Sequence, residues 1–342
     1  MSTDRFRELT VRGGPIERGE QHGEQLRDQI RQAIEFYRSI FDLPESEIRR
    51  SARNCKRQIA QYGGECDSDF TAEIESIARA ASVEPEWIYA LNARSELLEL
   101  DAAECTALYH APSGTLAQNW DWSPHLLDLV TLMTIELENG LRILTMTEPG
   151  IIGKVGFNSN GLGVCLNILR RDGPLDGLPV HIVLRAVLES PSFETARRRI
   201  RAAGGGKASN LLVGDAHGNS ANFEFTADGV WEPATSGDWS FHTNHYQTKP
   251  VNPNRGSYEC SFTRLETSQR LAGGGDGSRR QIIELLHDQS TDWPIHRCFT
   301  PHPEIGPLGT VATLLMDLPS RRLSVQRAAL DGAKHAFHDC QL

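Results

Sequence analysis

The chain has 342 residues, which is enough for one large domain or two smaller ones. Apolar residues make up 39% of the sequence and charged residues 23%, an ordinary balance for a folded globular protein. This balance excludes a disordered, collagen-like or coiled-coil chain. The formal net charge is −10, and the Lys and Arg residues gather into no broad basic face. Nucleic acid is therefore not an expected partner.

No apolar run approaches the roughly 20 residues that a membrane-spanning helix needs, and the amino-terminal residues are polar. We therefore expect no membrane partner and a cytoplasmic location. The seven cysteines are scattered without a Cys-x-x-Cys pair, so neither a disulfide framework nor a zinc ribbon is predicted. The pairs His242/His245 and His335/His338 have the spacing of some metal-binding histidines. Two isolated pairs without a predicted carboxylate or thiol neighbour do not indicate a metal site. No metal site is predicted.

The first hundred residues are predicted to be mostly helical. From Gln21 to Phe41 apolar residues recur every three or four positions, which keeps one face of a helix apolar. A second helix follows Pro44, a third surrounds Ile74, and a fourth begins near Pro85 and runs to Leu97.

After Glu104 the pattern changes to short β-rich runs. Asn139-Gly140 and Asn160-Gly161 each separate two such runs, as in β-hairpins whose two central residues have positive φ. Further elements are predicted in this order: helices near 179–189 and 193–203, strands near 209–214, 221–225 and 239–243, helices near 259–271 and 279–288, and strands near 310–317 and 322–327. This order predicts an α+β fold in which antiparallel sheets are covered by helices.

Cys105 stands where the helical segment ends and the β-rich segment begins. If the peptide bond before such a cysteine is broken, its own α-amino group can serve as the general base for its thiol. The α-amine titrates near pH 7.7 to 8.0 and the thiol near 8.5, so the two groups are well matched. On composition alone, Cys105 would equally fit a small buried apolar residue, like the other six cysteines.

Three further segments carry a resemblance to a known family: Gln118–Trp122, Thr147–Ser159 and His242–His245. In this order they resemble the acyl-coenzyme A:6-aminopenicillanic acid acyltransferase (isopenicillin N acyltransferase-like) family of cysteine N-terminal-nucleophile hydrolases. The resemblance runs from about residue 10 to the end of the sequence. It implies a four-layer αββα fold with two antiparallel sheets between helical layers, which agrees with the pattern of predicted elements.

The resemblance also implies an inactive precursor that cuts itself before the nucleophile, here between Glu104 and Cys105. Residues 1–104 would form a helical pro-segment, or α chain, and residues 105–342 a β chain, with both parts in one αββα domain. The mature site would take the acyl group of a small N-acyl amide and pass it to water or to an amine. No cofactor is implied, although an acyl thioester such as acyl-coenzyme A is a possible co-substrate.

Matching positions imply the roles of individual residues. Cys105 corresponds to the nucleophile, Asp121 to an aspartate that orients the new ammonium group, and Asn244 to an asparagine that helps to hold the oxyanion. Residues that the resemblance places around the pocket are Gln118, Asn119 and Trp120, with Ser209 and Asn210 as further polar candidates.

The sequence departs from the family pattern in two places. Glu104 stands where the family pattern has a glycine. A glycine would relax the strained turn before the acyl shift, so self-cleavage is expected to be slower here or absent. Gly309 and Thr310 replace a Ser-Arg pair, so a cationic contact is expected to be missing. An alternative function therefore stays open, in which the chain is uncleaved and catalytically silent, and serves as a binding or accessory protein on the same fold.

Overall fold

A computed structural model of the chain describes residues 5–66, 68–98, 105–170, 173–248, 259–302, 306–330 and 335–342. Two β-sheets lie face to face, and helices pack on the outer side of each one. The fold is therefore α+β with four layers in the order αββα, as the sequence predicted. Within the described residues, no helix has the length and apolar character needed to cross a membrane.

The first sheet has eight strands in the spatial order β1-β4-β5-β6-β7-β8-β9-β10. Their bounds are β1 Arg7–Gly13, β4 Thr131–Leu137, β5 Arg142–Thr147, β6 Val155–Asn158, β7 Leu162–Ile168, β8 Ser209–Asp215, β9 Ser220–Phe225 and β10 Val230–Trp231. The pairing of β1 with β4 is parallel, and the other pairings of this sheet are antiparallel. The prediction of purely antiparallel sheets is thus wrong at one edge, where a long crossover brings the first strand back.

The second sheet has seven strands, six of them in the order β11-β2-β3-β13-β14-β15, with β12 pairing only to β13. Their bounds are β2 Thr106–His110, β3 Thr115–Trp122, β11 Trp239–His242, β12 Thr300–His302, β13 Gly306–Asp317, β14 Arg322–Arg327 and β15 His338–Gln341. All of these pairings are antiparallel. The strand that follows Cys105 therefore lies inside the sheet, between β11 and β3.

The helices form the two outer layers. The layer on the first sheet consists of α1 Pro15–Gln25, α2 Arg27–Ile40, α3 Glu45–Tyr62, α4 Phe70–Ala81, α5 Pro85–Asn92, α6 Arg94–Leu97, α7 Val180–Leu188 and α8 Phe193–Ala202. Helices α1, α7 and α8 contact strands of the sheet, and the other helices of the layer pack on one another and on these three. Those that pack on the second sheet are α9 Glu259–Ala272 and α10 Arg279–Leu286. One large apolar core joins the two sheets to the first helical layer, and a smaller one lies under α9 and α10.

Local signals set the ends of several helices. The Asp69 carboxylate accepts a hydrogen bond from the Ala72 N–H at the start of α4, and Ser82 ends that helix in the left-handed conformation, at φ +56°. Pro44 precedes α3 and Pro179 precedes α7, because proline fits the first turn of a helix but not its interior.

The structure refines the predicted elements. The helix expected over 21–41 is broken at Leu26, and the one that begins at Pro85 is broken at Ala93. Both Asn-Gly hairpins form, but only the glycine of each dipeptide has positive φ, +84° at Gly140 and +81° at Gly161. The hairpins therefore do not use the two-residue turn that the dipeptides predict.

Two glycines allow α1 to lie against α4. A Cβ atom on Gly19 would come within 2.4 Å of the Glu73 carbonyl oxygen, and one on Gly23 within 2.5 Å of the Ile77 carbonyl oxygen. Both glycines are buried, and they lie four residues apart on one face of α1. Because the obstructing atoms belong to the backbone, a side chain here would force the two helices apart.

We predict that Gly23→Ala lowers the free energy of unfolding by about 1–3 kcal/mol, since overpacking a close helix contact forces a backbone shift. Gly63→Ala is the matched control, because a Cβ at Gly63 meets no atom within 4 Å. That change should be neutral or stabilising by up to about 1 kcal/mol. Urea unfolding of the two variants measures the difference, and equal stabilities would contradict this account of the α1–α4 contact.

Candidate active site

Cys105 lies immediately before β2, and its side chain is 5% exposed. Two side chains hold its backbone carbonyl oxygen: Asn167 donates from Nδ2 at 3.1 Å and Arg264 from Nη1 at 2.9 Å. Asn167 belongs to β7 of the first sheet and Arg264 to α9 on the far side of the second sheet. The start of β2 is therefore fixed from both sides.

Arg264 connects this strand to the loop that follows β11. Its guanidinium is fully buried and donates to the Thr106 hydroxyl at 2.9 Å and to the Asn244 side-chain oxygen at 3.0 Å. A buried cation is therefore present at Cys105, although the sequence lacks the arginine of the family pattern at Thr310. Here the cation comes from a helix of the outer layer.

Three polar groups of Asn244 make hydrogen bonds. Besides accepting from Arg264, its Nδ2 donates to the Ile168 carbonyl oxygen at 2.8 Å, and its backbone N–H donates to the Ser261 hydroxyl at 2.8 Å. An asparagine amide carries two N–H donors, so one remains for another acceptor. The side chain is thus oriented by Arg264 of α9 and by the end of β7.

Asp121 lies near the end of β3, is 1% exposed, and faces Thr310 in the strand register. Within the described part of the chain, neither carboxylate oxygen makes a well-formed hydrogen bond, although the Thr310 hydroxyl lies close enough to interact with the carboxylate. Burial raises the pKa of Asp121 to about 7. The Thr310 hydroxyl and the Arg264 charge have the opposite, smaller effect, because both favour the ionised carboxylate. Burying an ionised carboxylate without an ion pair costs free energy. A buried carboxyl group with a raised pKa is therefore a candidate functional group.

The Cys105 thiol is close to several of these groups. Burial and the Asp121 charge raise the pKa of the thiol to about 11, while the Asp121 backbone N–H and the charges of Lys154 and Arg264 act in the opposite direction. The thiol is therefore protonated at neutral pH. It needs a neighbouring base before it can act as a nucleophile.

A buried ionic cluster lies beside the thiol. Lys154 Nζ sits 3.2 Å from the centre of the Trp120 ring and 2.7 Å from a Glu148 carboxylate oxygen. Glu148 also accepts from Arg94 at 2.8 Å and from the Tyr37 hydroxyl. Although burial opposes ionisation, the charges of Arg94 and Lys154 hold the pKa of Glu148 at about 2. Burial lowers the pKa of Lys154 to about 7, so this lysine can change its charge near neutral pH.

The predicted pocket residues lie in different places. Trp120 is stacked under Lys154 and faces the core between the sheets. The Gln118 amide bonds to the Leu166 backbone, at 2.6 and 3.1 Å, and so joins the two sheets. The Asn119 amide donates to the Leu286 and Ile295 carbonyl oxygens in the α10 layer, on the other side of β3.

The two polar candidates on β8 are both buried. The Asn210 Nδ2 donates to the Asn222 side-chain oxygen at 2.9 Å and lies 3.4 Å from the Asn167 side-chain oxygen. It therefore reaches the Cys105 carbonyl indirectly, through Asn167. Ser209 lies at the first position of β8, opposite Ile168. Glu104, the other residue of the predicted scission site, lies outside the described residues.

Sequence reasoning missed Arg264, Lys154 and Asn167. A signal for Arg264 exists, since Ser261, Arg264 and Ser268 share one helical face and all are buried. Lys154 is also visible as a lone charge in an otherwise apolar run. Asn167 offers no such signal, because a polar residue near the end of a strand is ordinary.

The four αββα layers, with a cysteine directly before an inner strand, give the chain the fold type of the N-terminal-nucleophile hydrolases. A sequence model of the family described as acyl-coenzyme A:6-aminopenicillanic acid acyl-transferase matches residues 110–329. The chain belongs to that family. The description of that family names an acyl-transferring enzyme, so the chain belongs to a family of enzymes.

One curated relative and two solved structures illustrate the similarity. The chain is 30% identical to the 40 kDa form of acyl-coenzyme A:6-aminopenicillanic-acid-acyltransferase from Emericella nidulans, over 93% of this chain and 91% of the relative. A penicillin V acylase from Agrobacterium tumefaciens is 14% identical, with a TM-score of 0.39 over 66% of this chain and 83% of its own. A mutant form of conjugated bile acid hydrolase from Clostridium perfringens is 12% identical, with a TM-score of 0.41 over 70% of this chain and 92% of its own.

The buried Asp121 carboxyl gives a prediction for the Cys105→Ala chain. Because burial raises the pKa of Asp121 from 3.8 to about 7, the folded chain keeps a proton that the unfolded chain releases between those values. Asp121 should therefore lower the free energy of unfolding by about 1.4 kcal/mol per pH unit as pH rises from 4 to 7. Asp121→Asn should remove that contribution.

Urea unfolding of Cys105→Ala, with and without Asp121→Asn, between pH 4.5 and 7.5 tests this prediction, because the difference between the two chains isolates Asp121. Asp292→Asn is the control, since Asp292 is exposed. A difference between the two chains that stays constant over this pH range would contradict a raised pKa at Asp121.

Proposed function

We propose that the protein is a self-processing cysteine amidase or acyltransferase whose nucleophile, Cys105, is released by scission of the Glu104-Cys105 bond. It would act on the acyl group of a small N-acyl amide, or of an acyl thioester such as acyl-coenzyme A. The observation that carries the proposal is the placement of a buried cysteine directly before an inner strand, where Asn167 and Arg264 hold its carbonyl oxygen and Arg264 also bonds to Asn244.

Self-cleavage would begin with the thiol. Asp121, with a pKa of about 7, is suited to accept the thiol proton as the sulfur attacks the Glu104 carbonyl carbon. The acyl group shifts from the Cys105 nitrogen to its sulfur, and that nitrogen takes up a proton. Water then hydrolyses the thioester, which leaves a carboxyl group on Glu104 and a free amine and thiol on Cys105.

The new ammonium group would give Asp121 an ion-pair partner. An ammonium group next to a carboxylate favours its ionised form, so the pKa of Asp121 would fall after cleavage. The carboxylate in turn orients the amine beside the thiol. A position that is costly in the uncleaved chain thereby becomes a compensated ion pair in the processed one.

In the processed enzyme, the neutral amine takes the proton from the thiol and the sulfur attacks the acyl carbonyl carbon. The second side-chain N–H of Asn244 would donate to the oxyanion that develops. The amine then returns the proton to the departing nitrogen or sulfur, which leaves an acyl-enzyme on Cys105. Water or an amine accepts the acyl group in the second half of the reaction.

Arg264 and Lys154 would support this chemistry without reacting. Both cations favour the thiolate over the thiol. Arg264 also bonds to the carbonyl oxygen of Cys105 and to the side-chain oxygen of Asn244, so it sets the distance between the nucleophile and the oxyanion donor. Arg264 is therefore proposed as a positioning residue.

The two chains of the processed form would stay associated. Strand β1 belongs to the first segment and pairs with β4 along seven residues, from Arg7–Thr131 to Gly13–Leu137. The helices of the same segment contribute to the large core that includes both sheets. Scission before Cys105 would cut the chain while leaving this packing in place.

The experiment is to trap the acyl-enzyme. A chromogenic N-acyl anilide is mixed with the protein, the reaction is quenched in acid, and the mass of the Cys105-containing chain is measured. We predict an added acyl group on Cys105. Cys105→Ala should lower kcat/KM by more than about a thousandfold, because the acyl-enzyme cannot form.

Cys165→Ala is the control, since Cys165 is a buried thiol of β7 outside the proposed mechanism. It should retain turnover and the adduct on Cys105. Turnover that survives Cys105→Ala, or an adduct on a different residue, would overturn the proposal. Adding an amine acceptor in the same experiment separates transfer from hydrolysis by the product formed.

A further inference from the structure

A cluster of three different ligand types lies outside the candidate active site, where the first strand meets the last. Glu8 is on β1, and His338 and Cys340 are on β15. One donor atom from each residue lies within 4.8 Å of the other two, and His338 Nε2 is 2.7 Å from a Glu8 carboxylate oxygen. From this arrangement we infer a binding site for a divalent transition-metal ion, with Zn²⁺ as the best match.

The fold brings these residues together for a clear reason. His338 and Cys340 are two residues apart on a strand, so their side chains project on the same face. They pair with Val325 and Leu323 of β14, which are both buried, and Cys340 packs against the large core. Strands β1 and β15 are each an edge of their own sheet, and Glu8 reaches His338 across that boundary.

The ligand set selects the type of ion. A thiolate and an imidazole favour zinc over magnesium or calcium, and a carboxylate is an accepted third ligand with water in the fourth position. Tetrahedral coordination would place the three donor atoms about 3.4 to 3.6 Å apart. The observed spacing is close enough for side-chain rotation alone to reach it. The Glu8 side chain is 60% exposed, which leaves an entry path from solvent.

The charges around the thiol favour a cation. The carboxylates of Glu8 and Asp339 lie near Cys340, and Arg5 is a nearby positive charge. Metal binding would release the thiol proton to solvent, and the imidazole would carry its own proton on Nδ1 while Nε2 binds the ion.

The sequence interpretation dismissed His335/His338 for want of a thiol or carboxylate partner. It overlooked Cys340, which lies two residues beyond His338 and shares its face of the strand. Glu8 could not have been foreseen, because it lies 330 residues away along the chain. A site assembled from the two ends of a sequence has no local spacing signature.

The proposed ion would tie the first strand of one sheet to the last strand of the other. Because it would bind the folded chain and not the unfolded one, it would stabilise the protein by mass action. If the chain is processed before Cys105, as proposed above, the ion would also bridge the α and β chains. The binding site itself does not depend on that processing.

The test is a zinc titration of the wild-type protein, first freed of metal with a chelator, in competition with a chromophoric zinc indicator. We expect one equivalent to bind and the melting temperature to rise with zinc. Cobalt(II) in place of zinc should show a near-ultraviolet thiolate-to-cobalt charge-transfer band. Cys340→Ser should remove the band, and His338→Gln and Glu8→Gln should each weaken zinc binding by at least about tenfold.

Two controls locate the thiol ligand. Cys298→Ser changes an exposed cysteine outside the cluster, and Cys105→Ala removes the proposed nucleophile; both should keep the band and the full affinity. Less than one equivalent of zinc in the wild type, or unchanged affinity in Cys340→Ser, would overturn the proposal. If Cys340→Ser fails to fold, Glu8→Gln provides the test, because this exposed substitution should not disturb folding. Unchanged zinc affinity in Glu8→Gln would contradict the three-ligand site.

Discussion

The site depends on one fully buried guanidinium. Arg264 donates to the Cys105 carbonyl, the Thr106 hydroxyl and the Asn244 side chain, and these bonds join α9, the head of β2 and the loop after β11. A buried charge is tolerated when hydrogen bonds and an opposite charge compensate its lost hydration. The Arg264 charge also favours the ionised form of Asp121, although burial of that carboxyl has the larger effect.

Two further groups of buried charges lie elsewhere in the fold, one among the helices of the first layer and one beside Trp120. Arg185 of α7 pairs with Glu73 of α4 at 2.9 Å and with Glu189 at 2.8 Å, and Arg18 pairs with Glu73 at 2.8 Å. In the second group, Glu148 holds Lys154 against Trp120. Removing one member of such a group leaves the remaining charges uncompensated, so each group holds its helices and strands in one arrangement.

Much of the fold is visible in the sequence because it rests on local patterns. Amphipathic periods of three and four residues predict the helices, and Asn139-Gly140 and Asn160-Gly161 predict the two hairpins that form. Strands β1 and β15 were not predicted, since each is an edge strand whose pairing partner is set by tertiary structure. The breaks at Leu26 and Ala93 were missed because the apolar pattern continues through both of them.

The candidate site, too, was only partly predictable from the sequence. Cys105, Asp121 and Asn244 were predicted through motifs; in the structure Arg264 bonds to Cys105 and Asn244, and its charge acts on Asp121. Arg264 itself was missed, because a buried arginine on a helix looks like a solvated residue until its face is known. The motif that contains Asn119 did not reveal that its side chain points to the α10 layer, since alternation along β3 sends neighbouring residues to opposite sides.

The most direct measurement is the intact mass of freshly purified protein under denaturing conditions, with Cys105→Ala as the control. The account predicts two species whose masses divide the chain between Glu104 and Cys105, and a single full-length species in the control. A single full-length mass for the wild type that persists on long incubation would contradict the N-terminal amine mechanism. It would favour an uncleaved binding protein on the same fold.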